Sequence, residues 1–275
     1  MAFAFIDLFA GIGGFHYGLA QCGGKCVMAS EIDPIAAGTY FWNYGIKPQG
    51  DVCAIQSADI PDFDVLCAGF PCQPFSNIGR KQGFNDVRGS MIFQVARILK
   101  DCKPKAFILE NVKGLLTMDN GETIKTIYKM LSECGYIVDY KILSANDYGV
   151  PQKRRRLFIV GVRKDINKAF EFPKPIGCDV ELSDILGGKT DRRYSFTLRC
   201  GGRHSGLNNK HNWDCYLVDG KEHYLTVEEC LQLQGFPKDF TLCGGEGQKY
   251  KQLGNSVPTV FISAIGKQLI KLGII

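Results

Sequence analysis

"FAFIDLFAGIGG", residues 3–14, decides how this chain is to be read. The apolar run Phe3–Phe9 is short and stops at a glycine turn, which is the mark of a buried strand. "FHYGLAQCG" (15–23) follows with the character of a helix. Gly11, Gly13 and Gly14 therefore sit where a strand hands over to a helix N-terminus. Without side chains they let a ligand approach the backbone there. The run is not a full GxGxxG, and a plain glycine turn accounts for it equally well.

The same alternation continues outward. "CVMASEI" (26–32) reads as a strand and "PIAAGTYFWNYG" (34–45) as a helix opened by Pro34. "FDVLCAGF" (63–70) and "KAFILENV" (105–112) read as further strands. Helical spacing of Ile124, Ile127, Tyr128 and Leu131 predicts a helix over 122–136. "YIVDYKIL" and "RLFIVGVR" are two more strands. Such alternation predicts an α/β fold with a mostly parallel, doubly wound sheet. The pattern changes after "FEFPKP" (170–175). Residues 176–225 are rich in Gly, Arg, Asn and Asp and are expected to form a second, smaller domain. Residues 226–275 return through "TVEECLQLQGF" (226–236) and the helix "TVFISAIGKQLIKLG" (259–273) to the first domain, residues 1–175.

Composition bounds the function. The chain has 275 residues, 45% hydrophobic and 22% charged, as expected of a globular enzyme. No apolar run approaches the ~18 residues of a membrane span, and the N-terminus lacks a basic leader. A cytoplasmic protein without a membrane partner is expected. The 12 cysteines contain no CxxC pair and several lie in apolar runs, which suits reduced, buried thiols. Cys200, His204, His211 and Cys215 are conceivable zinc ligands, but their spacing matches no common finger, so no metal is expected. Charge is uneven. Residues 1–150 carry 13 Lys and Arg against 15 Asp and Glu, a net −2; residues 151–275 carry 20 against 13, a net +7. The C-terminal half suits a polyanion, although a solvated basic face fits the charge equally.

Acidic residues appear at strand ends. Glu31 ends the second strand, where a carboxylate can accept both hydroxyls of a ribose. Asp51 can accept from an adenine amine. No P-loop lysine accompanies them, so a nucleoside without polyphosphate fits, S-adenosylmethionine before ATP. Either acid alone reads equally as a solvated loop carboxylate. "GFPCQPFS" (69–76) fixes Cys72 between Pro71 and Pro74, just past the strand at 63–70. Proline locks φ on both sides, and no histidine stands nearby as in a protease dyad. That is the setting of a soft nucleophile that adds to a polarised double bond and later leaves. Glu110, in "ENV", ends the next strand and can hydrogen-bond a ring nitrogen. The arginines of "PQKRRR" (151–156) can hold a base carbonyl and phosphates, or form an ordinary basic surface strand.

"FAGIGG", "GFPCQPFS", "ENV", "QKRRR", "LQGFP" and "QLGNSVPT" stand in the order found in DNA cytosine-5 methyltransferases, and the chain resembles the single-chain bacterial and phage modification enzymes of that family over nearly its whole length. "NIGRKQGFNDVRGS" (77–90) resembles the family's mobile active-site loop, and "SFTLRCGG" (195–202) its target-recognition loop. Residues 176–224 are short for a recognition domain.

The resemblance implies a Rossmann-like S-adenosylmethionine-dependent methyltransferase sheet with a small target recognition domain and duplex DNA between. It implies methylation of C5 of a flipped-out cytosine through a Cys72–C6 adduct, with S-adenosylhomocysteine as product and no metal. Glu110, Arg154 and Arg156 are the other implied catalytic residues, with Arg156 on O2. Phe9, Ala10, Gly11, Ile12, Gly13, Gly14, Glu31, Ile32, Asp51, Val52, Gly69, Pro71, Met91, Asn255, Ser256 and Val257 are implied for the cofactor. Ser76, Gln152, Thr197, Arg199 and Arg203 are implied for DNA. A monomer, associated with the nucleoid through DNA, is expected, with a cognate restriction endonuclease as a partner that the sequence leaves open. A transfer-RNA cytosine-5 methyltransferase and a non-catalytic DNA-binding homologue are the alternatives. The Gly/Arg-rich insert argues against the first, and intact Cys72, Glu110 and Arg156 argue against the second.

Overall fold

The computed structural model describes residues 2–71 and 91–275. Cys72, Ser76 and the segment 77–90 lie outside the described residues, so the expectations placed on them are not addressed by the fold.

Six strands form one sheet: β1 (Phe3–Leu8), β2 (Gly24–Ser30), β3 (Val65–Gly69), β4 (Ala106–Val112), β5 (Tyr136–Ser144) and β6 (Arg155–Arg163). Their spatial order is β2-β1-β3-β4-β6-β5. β1 pairs in parallel with β2 and β3, and β3 with β4, while β6 runs antiparallel to both of its neighbours. The mostly parallel sheet read from the sequence is present. The chain leaves β1 toward one edge and returns to its other side at β3, which opens a crevice past the carboxyl ends of these two strands.

Helices cover both faces. α1 (Gly14–Ala20), α2 (Pro34–Tyr44) and, from the far end of the chain, α8 (Thr259–Lys271) bury Phe15, Leu19, Tyr40, Phe261, Ile262 and Ile265 on one face. α3 (Met91–Cys102) and α4 (Glu122–Glu133) bury Ile92, Val95, Leu99, Ile124, Ile127 and Leu131 on the other. α3 is absent from the sequence reading. α2 starts as its sequence dictates: the Asp33 side chain caps Ile35 N–H at 2.9 Å, and Pro34 fills the first turn.

The second core lies beyond the sheet. It contains α5 (Leu182–Leu186), the hairpin β7 (Cys215–Val218)–β8 (Lys221–Tyr224), α6 (Val227–Leu233) and α7 (Glu246–Asn255). Leu182, Leu198, Trp213, Tyr216, Leu225, Leu231, Phe236, Tyr250 and Leu253 pack together there. This core runs past the expected boundary at 225. Two four-residue strands cannot cover an apolar core alone, and α6 and α7 supply the rest. Only α8 returns fully to the first core. Among the described residues no helix is long and apolar enough to cross a membrane.

Candidate active site

Parallel pairing aligns the carboxyl ends of β1, β3 and β4, with Leu8 beside Ala68 and Gly69 beside Glu110. β6 runs the other way, so its first residues reach the same edge, with Arg156 opposite Val112. A cleft of about 730 Å³ opens there. It is lined by Phe9, Gly11, Ile12, Glu31, Ile32, Asp51, Val52, Gly69, Pro71, Met91, Glu110, Arg154, Arg156, Thr197, Arg199 and Asn255 among the residues named from the sequence.

Glu110 and Arg156 are diagonal neighbours on one face of the β4–β6 pair. Their side chains meet, Arg156 Nε to Glu110 Oε1, at 2.8 Å. Burial raises the Glu110 carboxyl above its ordinary value, and the Arg156 and Arg154 guanidiniums oppose that rise. The site thus favours a carboxylic acid more than open water does. Asn111 faces away from Glu110 and is 3% exposed. Its amide donates to the Phe70 carbonyl at 2.9 Å and its oxygen accepts from Val112 N–H. Asn111 thereby fixes the chain just before Pro71. The "ENV" motif carried this residue, but a local motif does not say which distant carbonyl an amide will hold.

The glycine turn is held by Glu31. One carboxylate oxygen accepts from Gly11 N–H at 2.7 Å and the other from Asp33 N–H at 2.8 Å. A carboxylate offers about four lone-pair positions, so acceptor capacity remains for a ribose. Gly11 has φ +54° and open space where a Cβ would stand. Ile32 is 74% exposed, an apolar side chain at the cleft with nothing over it. Asp51 caps its own turn through Cys53 N–H. Glycine turn, ribose-type carboxylate and exposed apolar side chain fit S-adenosylmethionine.

Several expectations require correction. Gly13 and Gly14 do not line the cleft. A Cβ on Gly13 would collide with the Tyr44 ring, and one on Gly14 would lie 2.6 Å from the Val257 carbonyl. They are glycines because α2 and the C-terminal segment press against them. Ala10, Ser256 and Val257 are buried and also stand outside the lining. Gln152 is fully buried and outside the cleft lining; it donates to the Leu233 carbonyl and accepts from Leu198 N–H. Arg154 is 1% exposed and donates to the carbonyls of Leu198, Gly254 and Ser256 at 3.0, 2.8 and 2.7 Å. Burial and the adjacent Arg156 press its pKa down to about 9, which still leaves it charged at neutral pH. At the edge of the cleft its guanidinium is committed to these three carbonyls and acts as a strut. Arg203 lies over the Tyr250 ring, 3.5 Å from the centroid, and pairs with Glu246 at 3.0 Å. It is outside the cleft. Arg199 lines the cleft and is exposed, and its guanidinium donates to the His211 carbonyl at 3.3 Å. Cys200, His204, His211 and Cys215 do not gather; among the described residues no group of three His, Cys, Asp or Glu could hold a metal.

Gln248 and Lys251 also line the cleft and were not read from the sequence; Cys200, read there only as a conceivable zinc ligand, lines it too. Lys251 crosses to Asp33 at 3.3 Å, joining α7 to the start of α2.

A family model described as C-5 cytosine-specific DNA methylase matches residues 3–216 and 201–271. The chain is 42% identical to the Type II methyltransferase M.DsaV of Dactylococcopsis salina, over 97% of this chain and 85% of that protein. It is 37% identical to the Type II methyltransferase M.HhaI of Haemophilus parahaemolyticus, over 92% and 90%. The fold is shared with the Entamoeba histolytica methyltransferase EhMeth, with a TM-score of 0.78 over 98% of each chain at 20% identity.

Proposed function

The chain belongs to the C-5 cytosine-specific DNA methylase family and is a DNA cytosine-5 methyltransferase using S-adenosylmethionine, and from that premise we propose which of its residues carry the reaction. The observation that carries the proposal is the Glu110–Arg156 pair at the cleft, beside the carboxyl end of β3 that leads to Cys72.

Cytosine in a duplex is stacked, so the base must swing out to be reached. The Cys72 thiolate adds to C6. Glu110, whose acid form burial favours, hydrogen-bonds N3 and stabilises the enamine. Arg156 holds O2 with the N–H groups left over from Glu110 and the Arg155 carbonyl. C5 becomes the nucleophile. S-Adenosylmethionine, when bound, supplies a methyl group on a sulfonium leaving group. Removal of the C5 proton restores the C5–C6 double bond and releases Cys72. No metal is needed, because the thiolate and the acid together activate the ring.

Glu31 holds the ribose in this scheme, Ile32 packs on the adenine, and Gly11 admits the methionine chain. Glu31→Ala is expected to weaken S-adenosylmethionine about 10- to 100-fold, since each hydrogen bond to a charged group contributes about 1.5–3 kcal/mol. Duplex DNA affinity should stay near that of the unaltered protein. Calorimetric titration with the cofactor checks this, and unchanged affinity removes Glu31 from the site.

Sequence choice falls to the loop that carries Thr197 and Arg199. An exposed arginine at the cleft can read guanine through two hydrogen bonds, worth about 1–3 kcal/mol of discrimination. Arg199→Ala should relax the methylated sequence in bisulfite sequencing of a modified plasmid. Arg203→Ala should leave that sequence unchanged and lower the thermal midpoint, because its guanidinium is occupied by Tyr250 and Glu246. The reverse pattern would exchange the two assignments. The enzyme is proposed to act as a cytoplasmic monomer at the nucleoid, alongside a cognate restriction endonuclease.

A further inference from the structure

The target-facing loop and the cofactor-side segment are joined by one side chain. Arg154 donates to Leu198 on the loop, to Gly254 in the last turn of α7 and to Ser256 just after it. The two stretches also touch directly. Gly254 lies against the backbone of Arg199 and Cys200, so closely that a Cβ there would stand 2.6 Å from the Arg199 carbonyl oxygen. The Cys200 thiol donates to the Asn255 side-chain oxygen at 2.7 Å. Gln152, two residues before Arg154, accepts from Leu198 N–H and fixes the same loop from below. Arg154 immediately precedes β6, two residues before Arg156, so the strut adjoins the strand that carries the Glu110 partner.

We infer that Arg154 is a positioning residue that makes loop 197–200 and segment 254–256 a single element, so that cofactor and duplex DNA bind to the two sides of one body. This rests on the reading above, in which Asn255 belongs to the cofactor side and Arg199 to the DNA side. The physical argument is short. Three carbonyls converge on one buried guanidinium, and a buried charge left with fewer partners is strongly unfavourable. The loop therefore cannot shift without disturbing the segment. A ligand that orders one side lowers the cost of ordering the other, and the effect on the two affinities must be equal and reciprocal. Lysine at 154 would keep the charge but not the planar fork that reaches three acceptors.

The test measures duplex DNA affinity with and without saturating S-adenosylhomocysteine. In the unaltered protein the product should tighten DNA by about 5-fold or more, the low end of usual coupling between sites. Arg154→Lys should bring that ratio toward one. Gly254→Ala keeps the guanidinium and wedges the two stretches apart, and it should do the same. It also keeps the test open should Arg154→Lys fail to fold. A merely structural role would lower the thermal midpoint and leave the ratio intact. A preserved ratio in either folded variant, or a ratio of one in the unaltered protein, overturns the inference. Failure of the unaltered protein to bind S-adenosylhomocysteine or DNA at all would instead overturn the reading beneath it.

Discussion

Duplex DNA carrying 5-fluorocytosine at the target should become covalently attached to the protein, and the bond should survive denaturing electrophoresis. In turnover the thiolate adds to C6, the methyl group joins C5, and the C5 hydrogen leaves as a proton so that the sulfur can depart. Fluorine cannot leave as a cation, and the elimination stalls with Cys72 attached. The adduct should require S-adenosylmethionine and map to the Cys72 peptide. Cys72→Ser should abolish it, because a hydroxyl is un-ionised at neutral pH and the surrounding "GFPCQPFS" contains no histidine to act as base. Fluorinated transfer RNA trapped in preference to DNA would move the substrate to RNA. An adduct on another cysteine would overturn the mechanism and leave the family standing. Cys200 is the informative control, since its thiol is exposed and lines the cleft.

The parts of this molecule that could be read from the chain are those whose cause is local. A strand, a glycine turn and a helix announce themselves by apolar period and by residue type, and the sheet followed from them. Glu31 and Glu110 could be placed at the sheet edge because each closes an apolar strand, but for Glu31 the bond to Gly11 N–H was needed to set it apart from a solvated loop carboxylate. What could not be read depends on distant partners. Arg154, Arg155 and Arg156 are consecutive and chemically alike, yet one is a buried strut, one is exposed and one pairs with the acid. Strand alternation explains why 154 and 156 share a side. Only the carbonyls at 198, 254 and 256 explain why 154 is spent on backbone. Arg203 misled for the same reason. A basic residue in a basic loop reads as a DNA contact until Tyr250 and Glu246, over 40 residues away, are brought beneath it. Gly13 and Gly14 looked like ligand clearance, and the clearance turned out to be for Tyr44 and Val257.

Glu110→Gln is expected to lower kcat by about 10²- to 10⁴-fold, the usual contribution of a positioned acid, with little change in KM for DNA. The amide can still donate a hydrogen bond to N3 but cannot give up a proton. The pH dependence separates this role from simple packing. Burial holds Glu110 above its ordinary carboxyl value, and Arg156 and Arg154 pull it back. The active form of Glu110 is protonated, so its contribution to kcat should fall as pH rises through the raised value, while the need for a Cys72 thiolate lowers kcat on the acid side. Arg156→Ala removes a lowering influence. It should move the falling limb to higher pH even as it slows the reaction. Glu110→Gln should lose the limb in its residual rate. Stability carries the same sign. The folded state binds the Glu110 proton more tightly than the unfolded chain does, so Glu110's contribution is fullest below the unfolded carboxyl value and declines as pH rises through the folded one. Asp7, fully buried and raised well above its ordinary value by the same cause, slopes in the same direction. The Glu110 part is therefore the difference between the denaturation profiles of the two proteins. A Glu110→Gln enzyme within tenfold of the unaltered rate, or one that keeps the falling limb, would take the proton away from Glu110.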